Sequence, residues 1–311
     1  MATNLTAAIY NDEDAARAHF EGIRWPEGRS CPHCGTVGNS TLMQGKTTRP
    51  GLYKCKDCRK PFTATMGTIY ERSHIPLHKW LLATQLMVAS KKGISAHKLF
   101  RMLGFGSYRT AWFMAHRIRE AMRSDDTTPM GSGGGIVEVD ETFIGRVKGA
   151  PVKRAFHHKM KVLALVDRDS GKARTIVVDN VSAATLMPIV RANVAKEATI
   201  MTDEHNAYTR IKDHFAGHGT TVHSAGQYVD YADATIHSNT VEGYFSIFKR
   251  GMRGIYQHCG EQHLHRYLAE FEFRYNYRIG NGVNDNARAV KALQGVVGKR
   301  LTYQQADRRA A

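Results

Sequence analysis

Four cysteines constrain this chain more tightly than any other feature. Cys31-Pro32-His33-Cys34-Gly35 is answered twenty residues later by Cys55-Lys56-Asp57-Cys58. Two C-x-x-C pairs at this separation bring four thiolates within reach of one tetrahedral Zn²⁺, rather than forming two redox pairs. Gly35 supplies the turn of a tight knuckle, and Tyr53 and Phe62 are placed to pack over it. Because all four positions are protein ligands, such a site is structural, and the metal substitutes for a core too small to stand alone. The fifth cysteine, Cys259, reads as a small buried hydrophobe.

Charge narrows the partner. The 311 residues, about two domains' worth, carry 44 Lys and Arg against 28 Asp and Glu, a formal net charge of +16. An excess this large points to a polyanion, most often nucleic acid. It is uneven: residues 61–124 hold ten bases against Glu71 and Glu120, and residues 245–311 hold twelve bases against five acids. The middle is nearly neutral, so two basic surfaces flank a core of different chemistry. No run approaches ~18 apolar residues, which excludes a membrane span of helical type. The first twenty residues include Asp12, Glu13 and Asp14 and no apolar stretch, unlike a secretory signal, so a cytoplasmic protein with reduced cysteines is expected.

The segment from Ser124 to Gly135 is rich in Gly and Ser and contains Pro129; it reads as a flexible linker. Ahead of it three helices are predicted. Pro76–Ser90 opens with a first-turn proline, Ser95–Leu103 with a capping serine, and Ser107 caps a third helix to about Met122. In that third helix Ala111, Met114, Ile118 and Met122 recur at helical spacing and face a core, leaving Arg109, His116, Arg119 and Arg123 on other faces. Helix, glycine turn and basic helix form a helix-turn-helix pattern, whose last helix enters a DNA groove. These four residues are therefore the expected DNA-binding set, against the plainer reading of a solvated bundle.

Beyond the linker the periodicity changes. Residues 136–143 alternate as a strand, and 162–166 and 174–178 follow as two more around a hairpin turn. A helix (182–195), a strand (198–202), a further helix, a short strand (220–223) and a long helix (238–249) complete the order of an RNase-H-like mixed sheet covered by helices. Asp140 lies on the first strand and Asp203 ends the fourth, its neighbour in this architecture. The late helix offers Asn239, Glu242, Ser246 and Lys249 along one face. Converging hard oxygens with one lysine suit Mg²⁺ or Mn²⁺, and two such ions can serve phosphodiester chemistry. Glu138 shares Asp140's strand face while Glu141 and Glu204 point elsewhere, and all three are expected to be structural or to support the metal ligands from behind.

Taken together, CPHCG with KCKDC, FTATMGTIYERSHIPLHKWLLA, VEVDETFIG at 137–145, MTDEHNAY at 201–208, IHSNTVEGYFSIFKRGMRGIYQHC at 236–259 and HLHRYLAEFEFRYNYR at 263–278 resemble bacterial insertion-sequence transposases of the ISXO-like DDE group, the family numbered fifteen ninety-five. The resemblance covers most of residues 30–280. It implies an α/β chain with an RNase-H-like transposase domain (136–295), preceded by a zinc ribbon (1–70), an all-α helix-turn-helix region (71–124) and the linker (125–135), and followed by a basic tail (296–311). It implies Mg²⁺-dependent cleavage at element ends and strand transfer into target DNA, with terminal inverted repeats bound by ribbon and helix-turn-helix. By position the first two acids are Asp140 and Asp203. For the third, Glu242 with Lys249 fits DDE transposases generally, whereas parts of this group place an asparagine there, which would be Asn239; a carboxylate is the stronger ligand. Lys249 and Arg250 are expected to position phosphates, with Arg253, Arg266, Arg274 and Arg278 extending a basic track, unless arginines of the 263–278 helix pair instead with Glu270 and Glu272. Two ends must meet, so a homodimer or larger assembly is expected, in a bacterial, nucleoid-associated setting. The alternative is a domesticated zinc-ribbon and helix-turn-helix DNA-binding regulator whose RNase-H-like half is catalytically inert.

Overall fold

A computed structural model describes residues 3–152 and 156–302. Two compact units result. One comprises the chain up to Ser90, Ile94–Arg123 and the segment from Val283 onward; the other comprises Lys91–Gly93 and Ser124–Gly282.

The first unit begins with α1 (Glu13–Arg24), opened by the Asp12 carboxylate, which accepts from the Ala15 N–H at 2.7 Å. A three-stranded antiparallel ribbon follows: β1 (Ser40–Leu42), β2 (Tyr53–Cys55) and β3 (Pro61–Phe62). Such short strands bury little, and their core is a ring cluster in which Trp25 stands edge-on to Tyr53 and Phe62 at 5.9 and 6.0 Å. The three predicted helices appear as α2 (Leu77–Ala89), α3 (Ala96–Met102) and α4 (Tyr108–Met122). Ser95 and Ser107 cap α3 and α4, accepting from the N–H groups of Lys98 and Arg109. Pro76 cannot cap α2 with a side chain. The Glu13 carboxylate of α1 does so instead, accepting from Leu77 and His78 N–H at 2.8 and 3.2 Å.

A late helix, here α8 (Asp285–Gln294), also belongs to this unit. Sequence order placed it in the transposase domain; the structure packs it on α2, where Arg288 Nη1 donates to the Val88 carbonyl at 2.9 Å. Its continuation pairs with residues 67–69, through Ile69 N–H to Val296 O (3.3 Å) and Gly298 N–H to Gly67 O (2.9 Å). The reason is apolar: Ala289, Ala292, Leu293 and Val296 are buried in this unit's core. Residues 303–311 of the expected basic tail lie outside the described residues.

In the second unit β4 (Ile136–Ile144), β5 (Met160–Asp167) and β6 (Lys172–Val178) form an antiparallel meander; β7 (Thr199–Asp203) and β8 (Gly217–Thr221) join in parallel, giving the order β6-β5-β4-β7-β8. This mixed sheet is RNase-H-like. One face, with Val137, Val139, Leu163 and Leu165, packs on Leu186 and Val190 of α5 (Ala183–Asn193). The other, with Val162, Ala164 and Val166, packs on Val241, Phe245 and Phe248 of α6 (Asn239–Gly251) and Leu264, Leu268 and Phe271 of α7 (Leu264–Asn276). Period-2 alternation therefore sends Glu138 and Asp140 toward α6 and their valine neighbours toward α5.

Two expectations are corrected. The helix predicted between β7 and β8 is replaced by two 3₁₀ turns, Asn206–Tyr208 and Ile211–Asp213, which suffice to bury Ala207, Tyr208 and Ile211. The linker's second half is docked, not free. Met130 is buried and bridges to Val194, and Gly131 N–H donates to the Asp167 carboxylate at 3.0 Å. Gly131 has φ +71°, and a Cβ there would lie 2.7 Å from both Ala198 Cβ and Val137 Cγ2, so the position requires glycine.

Candidate active site

Asp140 and Asp203 converge because of sheet register. Parallel pairing matches Val137 with Ile200 and Glu138 with Met201, so the next in-phase step along β4 and β7 sets Asp140 beside Asp203 at the sheet's end. Electrostatics agrees with geometry. Burial pushes the Asp140 carboxyl well above the usual carboxylate range, and Glu141, Asp203 and Glu242 push it the same way. One hydrogen bond opposes them: the Glu141 N–H donates to Asp140 Oδ1 at 2.7 Å. Lys249, two helical turns along α6 from Glu242, belongs to the same neighbourhood. Loss of water draws its ammonium below the ordinary range, while Asp140 and Glu242 hold it up.

Glu242 is partly exposed, and Asn239 is exposed at the first position of α6. The Glu242 carboxylate meets His223 Nε2 at 3.4 Å and accepts from Ser238 Oγ at 3.5 Å. His223 was missed by the sequence reading, since it lies in a loop with no motif of its own. It is held by Glu204, whose carboxylate accepts from the Ser224 and His223 N–H groups and is thereby drawn down to about 2.

Glu141 is nearer the site than expected. Its carboxylate accepts from Tyr208 Oη at 2.5 Å and lies 3.9 Å from His205 Nδ1. Burial raises its pKa and the charge of Asp203 adds to this, although the Tyr208 hydroxyl and His205 oppose the rise. Strand alternation sends Glu141 to the face opposite Asp140, where Tyr208 packs with Val137 and Val139.

The four cysteines close tightly. All four sulfurs lie within 4.8 Å of one another, the single group of this kind among the described residues. Cys31–Cys58 and Cys34–Cys55 are each 3.7 Å apart. Tetrahedral metal–sulfur bonds of ~2.3 Å separate sulfurs by ~3.8 Å, so the cluster fits a bound metal ion. Cys259, by contrast, is only half-buried, and its thiol donates to the Gly260 carbonyl.

The basic residues divide. Arg109 and Arg123 are exposed, as are Arg250 and Arg253. His116 and Arg119 are not: both are buried to within 1% exposure, and His116 packs edge-on to Trp112 at 4.2 Å between ring centres. Residues Met114–Met122 of α4 are buried throughout, so helical periodicity, which assigns one apolar face, misplaces these two as groove contacts. Lys98 and Arg101 of α3 are exposed as Arg109 is, and helical periodicity gives no reason to single them out. Arg274 leaves the basic track, buried in an ion pair with Glu270. Arg278 lies over the Tyr275 ring and donates to the Gly171 carbonyl.

A mixed sheet of this topology with acids gathered in mid-β4 and at the end of neighbouring β7, in a chain that also carries a four-thiol ribbon, defines a class: RNase-H-like proteins of the DDE transposase type. Residues 133–276 match the ISXO2-like transposase domain, and residues 11–61 match the transposase zinc-ribbon domain. Together the two matches span more than half of the chain, which belongs to this family of insertion-sequence transposases. It is 27% identical over 271 residues to an uncharacterized protein in transposable element ISH50 of Halobacterium salinarum, covering 81% of this chain and 87% of that one. An uncharacterized transposase-like protein of Haemophilus influenzae is 29% identical over 105 residues, 34% of this chain and 81% of the relative. Among solved structures, a chain of a simian T-cell lymphotropic virus intasome in complex with PP2A regulatory subunit B56 gamma aligns with a TM-score of 0.29 and 15% identity. The alignment covers 57% of this chain and 63% of that one, and a likeness this slight carries no argument.

Proposed function

We propose that this transposase binds the terminal inverted repeats of its own element and catalyses divalent-metal-dependent strand cleavage and strand transfer at them. The observation that carries the reading is the pairing of β4 with β7, whose register sets Asp140 beside Asp203. Three further acids crowd Asp140, a charge concentration that is unfavourable in the protein alone and is relieved by cations. Asp140, Asp203 and Glu242 would hold Mg²⁺ or Mn²⁺, since all offer hard oxygen donors. When bound, such ions activate the attacking oxygen and stabilise the leaving one in an in-line displacement at phosphorus. Glu242 is preferred over Asn239 because its charge reaches both Asp140 and Lys249.

The chain's own groups have definable tasks. Lys249 neutralises the phosphate that is being attacked, and its partly dry setting strengthens that attraction. Arg250 is braced by Ser246, donating to its carbonyl and hydroxyl at 3.1 and 2.9 Å, and with Arg253 offers charge to the DNA backbone. In the other unit, Zn²⁺ on Cys31, Cys34, Cys55 and Cys58 would hold the ribbon. Exposed Lys98, Arg101 and Arg109 supply the phosphate contacts that buried His116 and Arg119 cannot. Two copies, one for each element end, complete the active assembly.

The test is nicking of a duplex that carries the element's ends, with Mg²⁺ or Mn²⁺ present. Asp140→Ala and Asp203→Ala should abolish cleavage and keep DNA binding. Glu242→Ala and Asn239→Ala are compared side by side, the metal ligand being the one that loses turnover. Sequence-specific binding with no metal-dependent cleavage by the wild type overturns the enzyme reading and favours the regulator.

A further inference from the structure

Helix α6 begins without a cap of its own. Ser238 stands at the N-cap position, yet its hydroxyl makes no bond to the first-turn N–H groups and turns instead to Glu242 and His223. The orphan donors are satisfied from elsewhere. The Val241 N–H donates to Glu138 Oε2 at 2.8 Å, and the Asn239 N–H donates to His237 Nδ1 at 3.3 Å. Glu138 is completely buried, on β4, two residues before Asp140 and on the same face. Arg168 completes the arrangement, its Nε donating to Glu138 Oε1 at 2.6 Å. The remaining guanidinium nitrogens donate to Thr235 O (2.6 Å) and His237 O (2.7 Å), which fixes the loop that enters α6. His237 Nδ1 also lies 3.3 Å from Glu138 Oε1. Arg168 Nη2, at 2.9 Å, and the Asn239 N–H both point at that nitrogen, so it carries a lone pair and the contact with Glu138 is not an ion pair.

We infer that Glu138, braced by Arg168, is a positioning residue: it pins the first turn of α6 to the strand of Asp140 and so sets where Glu242 stands relative to Asp140. The inference rests on the metal-dependent reading above, and it deepens that reading. A buried carboxylate at a helix N-terminus, already neutralised by one guanidinium, has no role in forming the sheet, whose inter-strand bonds are backbone bonds. Its two hydrogen-bond partners, Arg168 and Val241, belong to the turn after β5 and to the first turn of α6. Whichever late-helix residue holds the cation, Glu242 or Asn239, it lies within the turn that this network fixes. Groups that orient metal ligands typically govern metal affinity by ~10- to 100-fold when altered.

The decisive measurement is Mn²⁺ binding by the full chain without DNA, followed by calorimetric titration. The variants are Glu138→Gln, Arg168→Lys, and Asp140→Ala as reference. Glu138→Gln keeps an acceptor for Val241 and loses the charge that aligns Arg168. Arg168→Lys keeps the charge and loses the fork that spans Glu138, Thr235 and His237. The expected result is wild-type binding that Asp140→Ala removes, with at least ~10-fold weaker binding in both network variants at unchanged circular dichroism. Cleavage by these variants should recover as Mn²⁺ is raised, which a merely damaged fold would not do. If wild type binds, Asp140→Ala does not, and both network variants bind as wild type does, the positioning role is overturned. If wild type shows no binding that depends on Asp140, the metal-dependent reading itself fails. If Glu138→Gln fails to fold, Arg168→Lys decides alone.

Discussion

The thiols of the ribbon and the acids of the sheet are both gatherings of groups that can ligate metal, and they are built in opposite ways. The four sulfurs come from two short turns, and they stand 3.7 Å apart in pairs with Cys31 and Cys55 buried. The acids come from β4, β7 and α6, elements distant in sequence that the sheet's register, apolar packing and the capping of one helix bring together. No group of three or more acids among the described residues closes to the sulfur-like 4.8 Å. A closed set of ligands makes a fold; an open set leaves room for a substrate and stores unfavourable charge until a cation arrives. Removing the first should therefore destroy structure, whereas neutralising the second should relieve strain and end activity.

The largest effect expected is on the ribbon. Cys55→Ser should release the metal and unfold β1–β3, forfeiting binding free energy of order 10 kcal/mol, with protein-bound zinc falling from one equivalent toward none. Retention of a full equivalent with native near-ultraviolet dichroism would break the contrast. Next comes Asp203→Ala, which should lower strand cleavage by ~10³-fold or more with the melting temperature essentially unchanged. A smaller and more diagnostic effect belongs to Asp140→Asn. Its folded-state pKa lies above the unfolded value, so protonated Asp140 stabilises the fold below the ordinary carboxylate range, and that contribution disappears as pH rises through the folded pKa. At neutral pH without divalent ions the asparagine variant should melt higher than wild type, and Mg²⁺ should raise the melting temperature of wild type alone. A lower-melting variant would show that the acids are not in conflict. Glu272 gives the smallest effect. Burial pushes its carboxyl up to about 7, against hydrogen bonds from Thr175. The stability it confers should fall as pH rises from about 4.5 to about 7, and Glu272→Gln should flatten thermal-melting curves across that window.

How much of this was legible depended on how local each feature is. Cys31, Cys34, Cys55 and Cys58 announce themselves by spacing. Asp140 and Asp203 were found because alternation located the strands and strand order made them neighbours. His116 and Arg119 were misjudged, since helical periodicity reports one apolar stripe and α4 is buried more widely than that. Met130 and Gly131 looked like linker because composition conveys average flexibility and not whether a backbone N–H finds a carboxylate such as Asp167. Glu138 was legible only as an acid on the right face. Its grip on Val241 spans 103 positions of chain, and no local pattern encodes such a contact.

The return of α8 to the first unit carries a consequence for synthesis. Ala289, Ala292 and Leu293 complete the apolar surroundings of α1 and α2, so the first unit is unfinished until the sheet domain and α8 have both been made. An amino-terminal fragment cut at Ser124 would present α2 with its covering helix missing. The sheet domain is thus an insertion between two parts of the first unit, and a chain that stops short of α8 should leave that unit incompletely folded.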